Sequence, residues 1–185
     1  DHDPVLIGLN LGVVTPPTLT ASVAIDGTPL SSGALSNVTG IRVTFDQDVR
    51  YTGSLPAPAA GDEADNVANY RLIGEGATPG IQTTFAPDFC LNGTVSGDDV
   101  EIVFTSATYT PTTRTTELVI ATVSSPLADG QYRLVICGST SVVSLLSGLA
   151  LDGNGNGVGG DDALIAFTVG SAVGGVPVNA GNAAL

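Results

Sequence analysis

The sequence predicts an all-β fold built as a two-sheet sandwich, and three observations carry that expectation. Apolar residues recur at every second position in short runs, the period of a half-buried strand. Val, Thr and Ile recur in those runs while the straight-chain helix formers Lys, Met, Glu and Gln are absent or few, as a pleated surface prefers. Gly and Pro, 24 and 11 in number, fall between the runs together with Asp and Asn, where turns need them. A chain of 185 residues is one domain, or one domain with extensions, and is long enough to bury a real core.

The first run is Val5, Ile7, Leu9, Leu11 and Val13, alternating with Leu6, Gly8, Asn10 and Gly12 and stopped by Thr15-Pro16-Pro17. Prolines punctuate here, so residues 1–16 read as an additional N-terminal strand. The sandwich itself then spans 17–170, followed by a Gly/Ala/Val-rich tail over 171–185. A second strand sets Leu19, Ala21, Val23 and Ile25 on one face and ends at Asp26-Gly27. The third sets Ile41, Val43 and Phe45 against Arg42, Thr44 and Asp46. After a Pro/Ala/acidic loop over 53–66, strands are predicted at 67–73, 81–85, 100–104, 117–123 and 131–137. The last of these points Tyr132, Leu134 and Ile136 one way, after the turn Ala128-Asp129-Gly130. A final strand is predicted at 163–169. Residues 142–149 (VVSLLSGL) break the pattern. They fit a short helix or a buried turn, and carry more leucine than an ordinary exposed loop.

Before the final strand stands the stretch 151-LDGNGNGVGGDD-162. Asp152, Asn154 and Asn156 place oxygens at alternate positions with glycines between them, Asp161 and Asp162 follow, and Val158 completes the candidate ligand set. Calcium takes about six to eight oxygen ligands and tolerates irregular geometry. The D-x-N-x-N-G spacing matches the first half of an EF-hand loop. The second half departs from it: Ala163 stands where a bidentate Glu belongs, and a strand follows where a helix should. The expectation is therefore calcium acting as a clamp between strands, not as a switch. The competing reading is a plain Gly/Asn turn.

A formal net charge of −13, with five Arg and no Lys, argues against nucleic acid and against anionic membrane surfaces, both of which are held by basic residues. No apolar run approaches the ~18–20 residues of a membrane span. A chain that begins Asp1-His2-Asp3 reads as already processed. Cys90 and Cys137 are the only cysteines. An even count in a Gly/Thr-rich β protein favours a disulfide made in an oxidising compartment; two buried free thiols are the alternative.

Enzyme chemistry finds little here. His2 is the only histidine and sits at the N-terminus, which argues against histidine-based triads and rules out multi-imidazole zinc sites. No G-x-x-x-x-G-K-S/T phosphate loop occurs, since the chain has no Lys. The paired carboxylates Asp46/Asp48, Asp62/Glu63/Asp65, Asp98/Asp99 and Asp161/Asp162 invite comparison with glycosidases, which hold two carboxylates ~5–9.5 Å apart. Sugar clefts usually also offer aromatic platforms, and this chain has no Trp and 5% aromatic residues. Solvated turns account for these pairs more simply. Asn37-Val38-Thr39 and Asn92-Gly93-Thr94 fit the N-glycosylation pattern, which also arises often by chance.

The segments 41-IRVTFDQDV-49, 69-NYRLI-73, 130-GQYRLVICGS-139, the Asp/Asn/Gly loop and 165-IAFTV-169 stand in an order that resembles the immunoglobulin-like domains of bacterial S-layer and large cell-surface proteins. The likeness covers roughly residues 17–170. It implies an immunoglobulin-like sandwich, an extracellular cell-surface setting, a structural or adhesive role, and calcium in the final loop. Relatives carry an Asp and an Asn in the turn before that loop, where this chain has Leu145 and Leu149. That weakens any carry-over of ligands from this turn, and something apolar is expected to cover it.

Three functions follow. The first is a non-enzymatic cell-surface module stabilised by calcium. The second adds self-assembly into a filament or lattice: Val5, Ile7, Leu9, Leu11 and Val13 are donated as a strand to the open sheet of a neighbour, and head-to-tail donation builds a fibre. Its alternative is that the same run folds back as an edge strand of its own sandwich. The third is a monomeric adhesive or carbohydrate-binding accessory module, with Tyr51, Tyr70 and Tyr109 as the available rings and Tyr132 assigned to the core. Expected partners are copies of the chain or other cell-surface proteins, with no nucleic acid and no membrane insertion.

Overall fold

The computed structural model describes residues 14–170. The run Val5, Ile7, Leu9, Leu11 and Val13, His2 and the tail 171–185 all lie outside the described residues. Among those described, nine strands form: β1 (Leu19–Ala24), β2 (Ala34–Leu35), β3 (Gly40–Phe45), β4 (Tyr70–Gly74), β5 (Val100–Ile102), β6 (Phe104–Thr110), β7 (Thr115–Ile120), β8 (Gly130–Ile136) and β9 (Ala163–Val169), with one short helix, α1 (Phe89–Asn92). A four-stranded sheet in the order β1-β3-β7-β6 faces a five-stranded sheet in the order β2-β9-β8-β4-β5. All neighbours are antiparallel except β2 and β9. No helix of the described residues is long and apolar enough to cross a membrane.

The alternation read from the sequence builds the core. Ile41, Val43 and Phe45 of β3 and Leu118 and Ile120 of β7 are buried from one sheet. Leu72, Tyr132, Leu134, Ile136, Phe167 and Val169 are buried from the other, all in one cluster. Each buried aliphatic or aromatic side chain contributes about 1.5–3 kcal/mol of hydrophobic stabilisation. Tyr132 stacks on Phe167 with ring centroids 5.3 Å apart, in the core as expected.

Several elements differ from the reading of the sequence, each for a local reason. In β1 the register slips between Leu19, opposite Phe45, and Ala21, opposite Thr44. A bulge adds one residue and reverses the alternation beyond it. Ser22 and Ala24, opposite Val43 and Ile41, therefore share the inner face with Leu19, in place of Ala21 and Val23. Residues 81–85 form no strand. The N–H groups of Gln82 and Thr83 instead donate to Asp99 Oδ2 at 2.8 and 2.6 Å, so a buried carboxylate stands where a partner strand would. Residues 67–69 are a 3₁₀ turn whose Asn66 side chain accepts from Ala68 N–H, and the strand starts only at Tyr70. The run 100–104 splits at Val103. The missed β6 follows it, its Ser/Thr-rich sequence FTSATYT offering little apolar contrast between faces. Residues 142–149 are a buried turn without a helix: Val142, Val143 and Ser144 are buried, but Leu146 is 88% exposed, so its leucines are not all covered.

Candidate functional site

The Asp-rich loop closes the end of the sandwich where β1 and β9 begin. Asp152 is its hub. Its N–H donates to the Pro17 carbonyl at 2.9 Å, and its side chain is buried to 4% exposure. Oδ1 accepts from Gly155 N–H at 2.8 Å and Asn156 N–H at 3.1 Å, and Oδ2 from Gly157 N–H at 2.7 Å. Three amides converge on one carboxylate because Gly155 and Gly157 take φ of 74° and 88°, a left-handed turn that side chains resist. Two Asx turns follow: Asn154 Oδ1 accepts from Asn156 N–H at 3.0 Å, and Asn156 Oδ1 from Val158 N–H at 2.7 Å. Their amide groups donate to Asp161 Oδ2 at 2.9 and 3.3 Å.

Asp162 turns away from that loop. Oδ1 accepts from Ser139 N–H at 2.8 Å and Ser139 Oγ–H at 2.7 Å, and Oδ2 accepts from Cys90 N–H at 2.5 Å. Cys90 is bridged to Cys137, 47 residues away, with Cα atoms 5.5 Å apart. The disulfide expected from the sequence is therefore present. It and Asp162 together pin α1 to the chain just beyond β8.

The six candidate calcium ligands thus divide. Asp152, Asn154, Asn156 and Asp161 meet, Val158 lies exposed beside them, and Asp162 serves the disulfide corner. Among the described residues no three His, Cys, Asp or Glu side chains converge as a metal-holding group. In this arrangement the side-chain oxygens of Asp152, Asn154, Asn156, Asp161 and Asp162 each accept from N–H groups.

The other acidic pairs are employed in the same way. Asp46 Oδ1 accepts from Thr18 N–H at 2.8 Å, and Asp48 lies 3.5 Å from Arg114 Nε. Asp62 accepts from Arg50 at 3.1 Å, Glu63 from Gly61 N–H at 2.9 Å, and Asp65 from Thr52 N–H at 2.9 Å. Asp98 accepts from Thr78 N–H at 2.8 Å and Gln82 Nε2 at 2.6 Å. The Thr78 N–H holds the Asp98 carboxyl below its ordinary range. One buried junction had no assigned role in the sequence. Asn69 Nδ2 donates to the Gly61 and Glu63 carbonyls, both at 2.7 Å, and its Oδ1 accepts from Ser141 Oγ–H at 2.7 Å. A lone Asn opening a strand motif gives no advance sign of three such partners, one of them 72 residues away.

Fold and site together define an acidic, disulfide-stapled β-sandwich whose carboxylates anchor loops. No family model matches the chain, and no curated protein matches it. Among solved structures it is similar to the N-terminal part of the bacterial S-layer protein SbsC, at 13% identity and a TM-score of 0.43, over 84% of this chain and 24% of that one. It is also similar to domains 1–6 of surface layer protein SbsC, at 12% identity and a TM-score of 0.43, over 84% of this chain and 14% of that one. The chain thus spans 24% and 14% of those two chains.

Proposed function

We propose that this chain is a non-enzymatic extracellular structural module of immunoglobulin-like topology, a subunit that assembles with its own copies into a cell-surface filament or lattice by strand donation. The observation carrying the structural reading is the employment of the acidic pairs. Each holds a loop or a turn by accepting N–H bonds or pairing with Arg, which leaves none poised across a cleft. The disulfide favours an oxidising compartment. Immunoglobulin-like topology is supported by the strand orders, which match the ABED and GFC sheets when strands are lettered along the chain with β2 as an added A′ and β5 as C′. Near the start of β8, the F position, Tyr132 O–H donates back to the Ala128 carbonyl at 2.7 Å, as in the tyrosine corner of such domains. Strand donation is supported by the alternation of Val5–Val13 and by the β9 edge, which β2 pairs at only two positions.

Calcium at Asp152, Asn154, Asn156, Val158, Asp161 and Asp162 is a separate proposal that rests on ligand order in the sequence. It requires the Asp152 and Asp161 carboxylates to exchange N–H partners for the cation. Assembly is tested by electron microscopy and light scattering of the full chain. Filaments or sheets are expected; a monodisperse particle at every concentration tried overturns self-assembly and leaves a monomeric module.

A further inference from the structure

The two open sides of the sandwich close differently. On one side the chain runs directly from β5 through Val103 into β6, so continuous backbone forms the corner between the sheets. On the other side, among the described residues, only 28–35 cross. They bond to β1 first, with Leu30 N–H on the Ser22 carbonyl at 3.0 Å and Ala24 N–H on the Thr28 carbonyl at 2.8 Å. They then reach β9, where Ala34 and Leu35 pair with Thr168 and Val169. Leu30 and Leu35 are buried there and plug that half of the gap.

The half nearer the Asp152 loop has no such plug among the described residues. Leu19 and Ser22 of β1 and Ile165 of β9 face inward but are only partly buried, whereas Ala24, Phe167 and Val169 on the same faces are buried. Between them lies a groove of about 380 Å³ lined by residues 19–23 and Ile165 and bounded by Pro29 and Ser31 of the crossing segment. Its backbone wall has no hydrogen-bonded partner among the described residues. The alternation that sends Gly170 N–H to the Leu35 carbonyl at 2.8 Å aims the N–H and C=O groups of Leu164 and Ala166 at the same edge. No described strand meets them there. The groove therefore offers what an incoming strand needs: open ladder groups on one side and an apolar slot for alternate side chains.

We propose that this groove is the acceptor for residues 5–13 of a second copy of the chain; the inference rests on the strand-donation reading and names its acceptor. The run has the right pattern, with five apolar residues at alternate positions. It is also long enough. The open stretch 163–167 spans roughly 17 Å, against about 30 Å for nine extended residues. The lead into β1 argues against the chain's own copy. Pro16 and Pro17 are buried, Thr15 C=O accepts from Gln47 Nε2 at 3.1 Å, and Pro17 C=O accepts from Asp152 N–H at 2.9 Å. Prolines hold this lead extended over the Asp152 loop. A return into the same molecule's groove would need a reversal between Val13 and Thr15. Val13 and Val14 are β-branched and unsuited to the positive φ of a tight turn.

The test uses full-length chains with one side disabled. Ala166→Pro removes the edge-facing N–H, a change edge strands tolerate, and Ser22→Lys fills the slot with a charge. Leu9→Asp spoils the donor. Each variant is expected to stay folded by circular dichroism and to lose assembly. Mixing Ala166→Pro with Leu9→Asp, one with an intact donor and the other with an intact acceptor, should give a discrete one-to-one dimer by native mass spectrometry. If both acceptor variants assemble like wild type while Leu9→Asp does not, donation stands and this groove is refuted as its acceptor. If wild type never assembles, the strand-donation reading itself falls. If mixing gives no dimer and each variant alone melts lower, the run fills its own groove and the proposal is overturned.

Discussion

Removing Asp162 tests the corner where the loop, α1 and β8 meet. Asp162 is 7% exposed and accepts three hydrogen bonds, from Cys90 N–H, Ser139 N–H and Ser139 Oγ–H. Hydrogen bonds to a charged acceptor contribute about 1.5–3 kcal/mol each, and a buried donor left unpaired costs about 1–3 kcal/mol. Two of the donors share one oxygen, and water reaches part of the corner, so Asp162→Ala is expected to cost about 3 kcal/mol. That is a large share of the ~5–15 kcal/mol that holds a domain folded, and lowers the melting temperature by roughly 6–12 °C.

Asp162→Asn separates acceptor chemistry from shape. An amide keeps one oxygen and turns an NH₂ toward either Cys90 N–H or Ser139 N–H, setting donor against donor. It should therefore cost nearly as much as alanine. Urea unfolding with and without a reductant completes the test. The disulfide closes a loop of 47 residues, about 4 kcal/mol on the chain-entropy estimate. Because both devices position Cys90, Asp162→Ala should cost more in the reduced protein, with a coupling of about 0.5–3 kcal/mol. An Asp162→Asn protein within ~0.5 kcal/mol of wild type would refute the acceptor role.

Two further outcomes follow from the same structure. Burial raises the phenol groups of Tyr70, Tyr109 and Tyr132 above their ordinary value of 10.0. A raised folded value means that their contribution is complete below pH 10 and is lost as pH climbs through the raised values. Tyrosinate absorbance should accordingly lag in the folded protein and rise together with the loss of circular dichroism; simple titration near pH 10 with the fold intact would contradict this. For calcium, the loop's hydrogen bonds predict a cooperative melt in a chelator, and the calcium proposal predicts a higher melt in millimolar calcium, by about 2.7 kcal/mol at a hundredfold excess over Kd. Identical melts would remove calcium from the loop.

The sequence by itself determined the all-β class, most strands, the core face of β3 and β8, the full span of β9 and the availability of a disulfide. These rest on local information: a two-residue period, turn-forming residues and an even cysteine count survive whatever the rest of the chain does. Only the tertiary structure decided where the polar groups went. The bulge at the start of β1 is one unit of register, invisible to alternation, yet it exchanges Ala21 and Val23 for Ser22 and Ala24 on the inner face. Residues 81–85 look like a strand, but Asp99 reaches across and satisfies their N–H groups. In the Asp-rich loop, the spacing of Asp152, Asn154 and Asn156 is equally suited to a cation and to amides of the loop itself, because both are drawn to the same oxygens. Asp161 and Asp162 are adjacent in the chain and nevertheless face opposite ways, one into the loop and one to the Cys90 corner. A carboxylate accepts whatever donors folding brings to it, and those donors lie as far as 72 residues away in the chain.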